Sequence, residues 1–157
     1  MVKLALVGGT FDPIHRGHLA VARAARRQLM LEELLFVPSG VPPHKRAGAV
    51  TPFHDRHAMV VLATAGERSF VPSRLEDPDL VAGATYSIDT VRRLRRARGP
   101  RDRLFFLIGA DAFLDIAAAR TSSRTRWNSS WRTAPDSRWP RCPSESVTAR
   151  RCICCLA

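Results

Sequence analysis

The 157-residue sequence contains no run of about 18 apolar residues, the length that a helix needs to cross a membrane. The apolar run that opens the chain, residues 2–7, ends at Gly8 and Gly9 and is too short for the core of a signal peptide. We therefore expect a cytoplasmic protein that has no membrane partner.

Acidic residues are scarce: 14 Asp and Glu stand against 25 Lys and Arg, which gives a formal net charge of +11. An excess of this kind is typical of nucleic-acid-binding proteins, because Lys and Arg neutralise phosphates. Its distribution argues against that function. Residues 1–118 hold 17 basic and 12 acidic residues, whereas residues 119–157 hold 8 and 2. More than half of the excess charge thus lies in the last quarter of the chain.

Cysteine and tryptophan are absent from residues 1–118, and all four cysteines and all three tryptophans follow that range. Large aliphatic residues are rare in residues 119–157, so this segment cannot bury enough apolar surface to offset the entropy lost on ordering. We predict one folded domain over residues 1–118 and a basic, disordered tail over residues 119–157.

The composition of the tail suggests a hypothesis about its origin. Its bias toward Arg, Ser, Trp, Cys and Pro is typical of a shifted reading frame in a GC-rich gene, with the shift near residues 117–120. The grouping of Cys152, Cys154 and Cys155 lacks the paired C-x-x-C spacing of a zinc site, so we predict no metal ligands.

Short apolar segments alternate with helical patterns along residues 1–118. Strands are predicted at residues 2–7, 34–37, 70–71 and 104–108. Helices are predicted between them, the second opened by Thr51 as N-cap and the third beginning near Ser87. This alternation predicts a Rossmann-like, doubly wound α/β fold with a parallel sheet, truncated on its carboxyl-terminal side. Such sheets bind ligands at the carboxyl ends of their strands, which directs attention to the loops there.

The loop after the first strand, residues 8–18, reads G-G-T-F-D-P-I-H-R-G-H. The glycines let backbone N–H groups approach an anion, and Thr10 adds a hydroxyl donor. His15 and His18 lie three residues apart at the first turn of a helix, so both can face one point near its positive end. Together these groups could stabilise charge on the α-phosphate of a triphosphate. An isolated H-x-x-H pair would more often only cap its helix.

This stretch resembles the H-x-G-H motif of the nucleotidyltransferase superfamily, and its full spelling is similar to that of bacterial nicotinate mononucleotide adenylyltransferases. The resemblance implies that His15 and His18 are catalytic. It also implies an ATP site with these members: Gly8, Gly9, Thr10, Phe11, His15, His18, Gly109 and Asp111. The last two follow the fourth predicted strand, where a carboxylate can accept hydrogen bonds from ribose hydroxyls. A plain strand-to-helix turn is the competing interpretation there.

Two further stretches resemble the same family. His44 and Lys45, in the sequence P-P-H-K, would bind the phosphate of the mononucleotide, although Lys45 alone would be an ordinary exposed charge. Thr85 and Tyr86 begin a segment whose backbone amides would receive the pyridine carboxylate. That segment can also be a helix N-cap, and both roles are compatible because a helix start offers unpaired N–H groups.

The implied reaction transfers the adenylyl group from ATP to nicotinate mononucleotide, giving deamido-NAD and pyrophosphate in NAD biosynthesis, with Mg²⁺ accompanying the ATP. The resemblance ends near residue 118. The family's Trp-containing segment and late S-S-T-x-I-R motif have no convincing counterpart, which leaves the activity of this chain open. The alternatives are pantetheine-phosphate adenylyltransferase, an inactive nucleotide-binding fragment, and a basic protein whose tail contacts RNA. A homo-oligomer is left open.

Overall fold

The computed structural model describes residues 1–41, 50–83, 85 and 87–108. Strands and helices alternate along them in the order β1 (Lys3–Gly9), α1 (Arg16–Leu29), β2 (Glu33–Pro38), α2 (Phe53–Thr64), β3 (Phe70–Pro72), α3 (Ser87–Ala97) and β4 (Arg103–Leu107). The predicted alternation of strands and helices is confirmed. None of these helices has the length and apolar character that a membrane span requires. The predicted tail lies outside the described residues, so the domain boundary at residue 118 stays a prediction.

The four strands form one sheet in the order β3-β2-β1-β4, and every neighbouring pair is parallel. The chain moves outward from β1 to β3 and then returns to place β4 on the other side of β1. Strand order therefore reverses between β1 and β4, and in doubly wound sheets ligands bind in the crevice outside the carboxyl ends of the strands at such a reversal. The predicted fold class is confirmed.

Both faces of the sheet are buried, because helices pack on each of them. Side chains alternate along a strand, so successive residues belong to opposite faces. Ala5 and Val7 of β1 pack on one face with Ala22 and Ala25 of α1 and Val60 of α2. Alternate strand residues pack on the opposite face with α3, and the buried members of this second cluster are Leu4, Leu6, Leu35, Val37, Leu94 and Phe106. Burial on both faces explains why β1 and β2 are continuous apolar runs in the sequence.

The two glycines that follow the first apolar run belong to β1, although the sequence assigned them to the loop after that strand. Gly8 and Gly9 pair with Val37 and Pro38 of β2. A Cβ atom on Gly8 or Gly9 would come within 3.0 Å of a phenylalanine ring, that of Phe106 or Phe11 respectively. The missing side chains therefore allow aromatic rings to pack closely against the end of the strand.

Helix α2 begins at Phe53, and its N-cap is Pro52 rather than the predicted Thr51. The backbone of Thr51 is engaged elsewhere: its N–H donates to Asp12 Oδ2 at 2.9 Å, and its carbonyl accepts from Arg56 Nε at 2.7 Å. The prediction of Thr51 as the cap was wrong because these contacts join the residue to other parts of the structure.

The arginines in and next to α3 differ in burial, and Arg92, Arg95 and Arg96 are exposed. The half-buried members have structural partners. Arg93 donates to the Leu75 carbonyl at 2.8 Å, and Arg98 Nη2 lies 2.8 Å from Glu33 Oε1. Arg93 thus joins α3 to the segment after β3, and Arg98, the residue after α3, pairs with β2.

Candidate functional site

The loops after β1 and β2 start side by side at the carboxyl edge of the sheet. Gly9 pairs with Pro38, and the Ser39 N–H donates to the Gly9 carbonyl at 2.8 Å. Strand β4 ends beside β1 on its other flank, where Leu107 pairs with Val7. We call residues 10–15 the first loop and residues 39–41 the second loop. Their shared starting point places their side chains at the predicted ligand-binding edge.

Phe11 anchors the first loop. Its side chain is buried, and its backbone has a positive φ of 52°, which costs a non-glycine residue about 1–2 kcal/mol. The ring packs against Phe36, with centroids 6.0 Å apart, and meets the ring of His18 edge-on at 5.1 Å. Aromatic packing of this kind helps to stabilise the uncommon backbone conformation of Phe11 and the position of the His18 ring. Because the residue as a whole is only 2% exposed, its ring packs the loop and is not open to a ligand.

His15 and His18 meet at the amino end of α1. His15 is the N-cap residue, and its Nδ1 accepts the Gly17 N–H at 3.1 Å, while His18 Nδ1 accepts the His15 N–H at 3.2 Å. The two rings stack with centroids 3.8 Å apart and an interplanar angle of 30°. The two histidines therefore cap the helix and also stack their rings side by side. Helix capping and ligand binding by this pair are compatible.

These hydrogen bonds determine which nitrogen of each imidazole can carry a proton. A nitrogen that accepts an N–H is unprotonated, so the proton of each neutral ring lies on Nε2. Burial, together with the neighbouring His15, lowers the pKa of His18. At neutral pH the His18 ring is accordingly a neutral donor through Nε2–H. It lies at the positive end of a helix, a position suited to oxygen atoms of a phosphate.

A buried guanidinium joins the first loop to the second. Arg56 of α2 has a relative exposure of 1%. Its Nη1 donates to the Thr10 carbonyl at 2.7 Å, and its Nη2 donates to the carbonyls of Ser39 at 2.8 Å and Gly40 at 3.4 Å. Burial lowers the pKa of Arg56, and the charges of Asp12 and Glu76 act in the opposite direction. The guanidinium thereby lies within a ring of backbone oxygens.

Glu76 holds the second loop from the other side. Its side chain is buried, and Oε2 accepts the Gly40 N–H at 3.2 Å while Oε1 accepts the Thr90 hydroxyl at 2.6 Å. A Cβ atom on Gly40 would overlap the Glu76 carbonyl oxygen. The second loop therefore requires glycine at this position for lack of space.

Thr85 lies near the same loop. Its side chain is buried, and its N–H donates to the Val41 carbonyl at 3.4 Å, a long hydrogen bond. Within the described ranges its Oγ1 has no hydrogen-bond partner. The residue predicted to bind the substrate carboxylate thus lies beside the second loop, with its amide directed to Val41 in this structure.

One group of side chains has the composition of a metal site. Candidate ligand atoms of His54, Asp77 and Asp79 lie within 4.8 Å of one another. Asp77 is already engaged, because Oδ2 accepts from Arg74 Nε at 2.5 Å and Oδ1 accepts the Asp79 N–H at 3.0 Å. His54 Nε2 lies 3.1 Å from Asp79 Oδ2. Asp77 thus already has a cationic partner in Arg74, and hydrogen bonds join it to Asp79 and Asp79 to His54.

A family model described as cytidylyltransferase-like matches residues 6–142, which is most of the chain. The chain belongs to the cytidylyltransferase-like family. Its matched range includes the first loop, the histidine pair and the second loop. The range also runs past residue 118.

Curated relatives carry the name "Probable nicotinate-nucleotide adenylyltransferase". The protein of Solibacter usitatus is 47% identical over 119 residues, which cover 76% of this chain and 62% of the relative. That of Mycolicibacterium vanbaalenii is 50% identical over 114 residues, which cover 73% and 52%. The resemblance to nicotinate-nucleotide adenylyltransferases is confirmed. The chain spans roughly half to three fifths of the length of these curated relatives.

Two solved structures of the nicotinic acid mononucleotide adenylyltransferase of Plasmodium falciparum are similar in fold. The complex with NaAD gives a TM-score of 0.63 at 22% identity and covers 74% of this chain and 56% of the other. The complex with APC gives 0.61 at 21% identity, covering 75% and 56%. Similarity at this level supports the fold.

The structure brings together part of the predicted site. The last residues of β1, the first loop and the histidine pair form one group, and its predicted members are Gly8, Gly9, Thr10, Phe11, His15 and His18. Thr85 lies next to the second loop. The other predicted residues lie outside the described ranges: His44, Lys45, Tyr86, Gly109 and Asp111.

Sequence reasoning missed Arg56, Glu76 and Gly40. Arg56 had a local signal, because it shares the spacing of the buried α2 residues: Phe53, Arg56, Val60 and Thr64. A cation at a core-facing helix position predicts a buried polar network. Glu76 and Gly40 had no comparable signal, since their contact joins segments 36 residues apart.

We expect the protein to lose stability as the pH falls through about 6.5. The pKa of His18 is lowered by burial and by His15, and that of His57 by burial, Arg74 and His54 against the opposing charge of Asp77. The unfolded chain therefore takes up protons at these positions before the folded chain does. Thermal unfolding should give a lower Tm at about pH 5.5 than at about pH 7.5. An equal or higher Tm at the acidic pH would contradict this expectation, and His18→Gln should reduce the difference.

Proposed function

We propose that this chain carries the adenylyl-transfer site of a nicotinate-nucleotide adenylyltransferase, which converts ATP and nicotinate mononucleotide into deamido-NAD and pyrophosphate. The observation that carries the proposal is the stacked His15–His18 pair, whose Nδ1 atoms both cap the helix and leave Nε2 as the donor. The names of the curated relatives, at 43–50% identity, support the choice of substrates.

The proposed reaction needs no protein nucleophile. An oxygen of the mononucleotide phosphate attacks the α-phosphorus of ATP, and the bond from that phosphorus to the bridging oxygen of pyrophosphate breaks. His15 and His18 would donate Nε2–H bonds to phosphate oxygens, on which charge grows during the step. The amino end of α1 adds a favourable dipole at the same place.

The remaining site residues are assigned as follows. Gly8, Gly9, Thr10 and Phe11 would line the ATP phosphates through backbone and hydroxyl donors, and Gly109 with Asp111 would contact the ribose. His44 and Lys45 would bind the mononucleotide phosphate, and Thr85 with Tyr86 would receive the pyridine carboxylate. Mg²⁺ would enter with the ATP as part of that substrate. A cytoplasmic location and the oligomeric state stay predictions.

Pyrophosphate release from MgATP tests this function. Nicotinate mononucleotide should support turnover at least about tenfold better, by kcat/KM, than nicotinamide mononucleotide. The proposed backbone N–H donors would pair with both oxygens of a carboxylate, whereas a carboxamide offers them one oxygen and an NH2 group that cannot accept. Phosphopantetheine serves as the second comparison substrate. Turnover with phosphopantetheine alone would instead identify a pantetheine-phosphate adenylyltransferase. Binding of MgATP by folded protein without turnover of any acceptor would identify a nucleotide-binding fragment.

A further inference from the structure

We propose that Arg56 is a positioning residue that sets the distance between the first loop and the second loop. It is buried, and its guanidinium donates to Thr10 in the first loop and to Ser39 and Gly40 in the second. The carbonyl of Thr51, two residues before α2, accepts from its Nε. One rigid, planar group thus spans segments that are 46 and 17 residues from it in the chain.

The backbone geometry shows what this bridge controls. In a trans peptide the carbonyl and the following N–H point in opposite directions. With the Thr10 carbonyl turned toward Arg56, the Phe11 N–H is turned away from it. Arg56 therefore orients the Phe11 N–H, while its own nitrogen atoms are engaged with backbone carbonyls.

Glu76 completes the arrangement in the second loop. The Gly40 carbonyl is held by Arg56 Nη2 at 3.4 Å, and the Gly40 N–H is held by Glu76 Oε2 at 3.2 Å. A buried cation and a buried carboxylate thus hold the peptide groups on both sides of one glycine. Thr90 of α3 donates to the same carboxylate at 2.6 Å. This bond connects the second loop to the helix on the face of the sheet opposite α1 and α2.

The consequence for the reaction rests on the proposed function. If ATP lies on the first loop and the mononucleotide on the second, Arg56 fixes how far apart the attacking oxygen and the α-phosphorus are held. Each loop would still bind its own substrate without the bridge. Loss of Arg56 should therefore lower kcat more than it raises either KM, because misplacement of reactants slows the bound complex.

Amide hydrogen exchange on the full chain tests the bridge without an activity assay. In Arg56→Lys, the ammonium group cannot span three carbonyls, and exchange should rise at least about tenfold in residues 10–11 and 39–41. The amides inside β1 and β2 should change much less. Arg68→Lys, at an exposed arginine, is the matched control and should leave all of these amides unchanged. A uniform rise along the chain, or no rise in the two loops, would overturn the proposal.

Glu76→Gln is a second variant for the hydrogen-exchange experiment, and it leaves Arg56 in place. Exchange should rise at Gly40, whose N–H bonds to Glu76, and stay unchanged in residues 10–11, which contact Arg56 and for which no hydrogen bond to Glu76 is seen in the described residues. A rise in residues 10–11 of this variant would contradict the assignment, and this arm applies even if Arg56→Lys fails to fold.

Kinetics then separate the two proposals. For Arg56→Lys we expect kcat to fall at least about tenfold, with each KM changed less than about threefold. A rise in KM at constant kcat would overturn the positioning role. An inactive wild-type chain would refute the proposed function alone, since the exchange pattern still decides the role of Arg56.

Discussion

Replacing His18 by alanine should lower kcat for adenylyl transfer about 100-fold or more, while KM for MgATP changes little. The ring is a neutral donor at the amino end of α1, stacked on His15 and supported by Phe11. A donor aimed at charge that develops during the reaction contributes more to the transition state than to the bound substrate. Steady-state measurement of pyrophosphate release gives both constants.

The alanine variant also removes a helix cap, because His18 Nδ1 accepts the His15 N–H. That loss should cost about 1 kcal/mol of stability. His18→Gln is the matched control, since glutamine at the third position of a helix can accept the same N–H. It should keep most of the stability and still lose the rate. A glutamine variant with wild-type kcat would exclude a catalytic imidazole at this position.

Gly40→Ala should lower the free energy of unfolding by about 3 kcal/mol or more. The added Cβ would overlap the backbone carbonyl of Glu76 and come within 3.3 Å of Thr85 Oγ1. Backbone atoms cannot move aside as a flexible side chain can, so the second loop must shift. Its hydrogen bonds to Arg56 and Glu76 should weaken with that shift. Denaturant unfolding measured alongside the wild type gives the difference.

Gly66→Ala is the matched control for the glycine substitution. A Cβ at Gly66 meets no atom within 4 Å, so stability should stay within about 0.5 kcal/mol of the wild type or increase slightly. If both variants are equally destabilised, loss of glycine itself is responsible. If Gly40→Ala is as stable as the wild type, the close approach of the second loop to Glu76 is refuted.

The local parts of the site could be predicted from the sequence. His15 and His18 lie three residues apart, so the geometry of a single helical turn was enough to place their rings together. The contacts of Arg56 could not be predicted in this way. Its partners Thr10 and Ser39 are 46 and 17 residues away, and no local rule relates such positions. Gly9 was misassigned to the loop for the same reason, because its strand character depends on pairing with Pro38.

The sequence by itself determined that strands alternate with helices, that the sheet is parallel, and that a loop leads from β1 to a pair of histidines at the start of α1. Each of these depends on periodicity or on neighbours within a few residues. Only the tertiary structure decided the strand order β3-β2-β1-β4, the meeting of the two loops, and the buried Arg56 and Glu76 on either side of Gly40. Arg56 and Glu76 can be buried because polar groups distant in the chain converge on them, and that convergence exists only after the chain has folded.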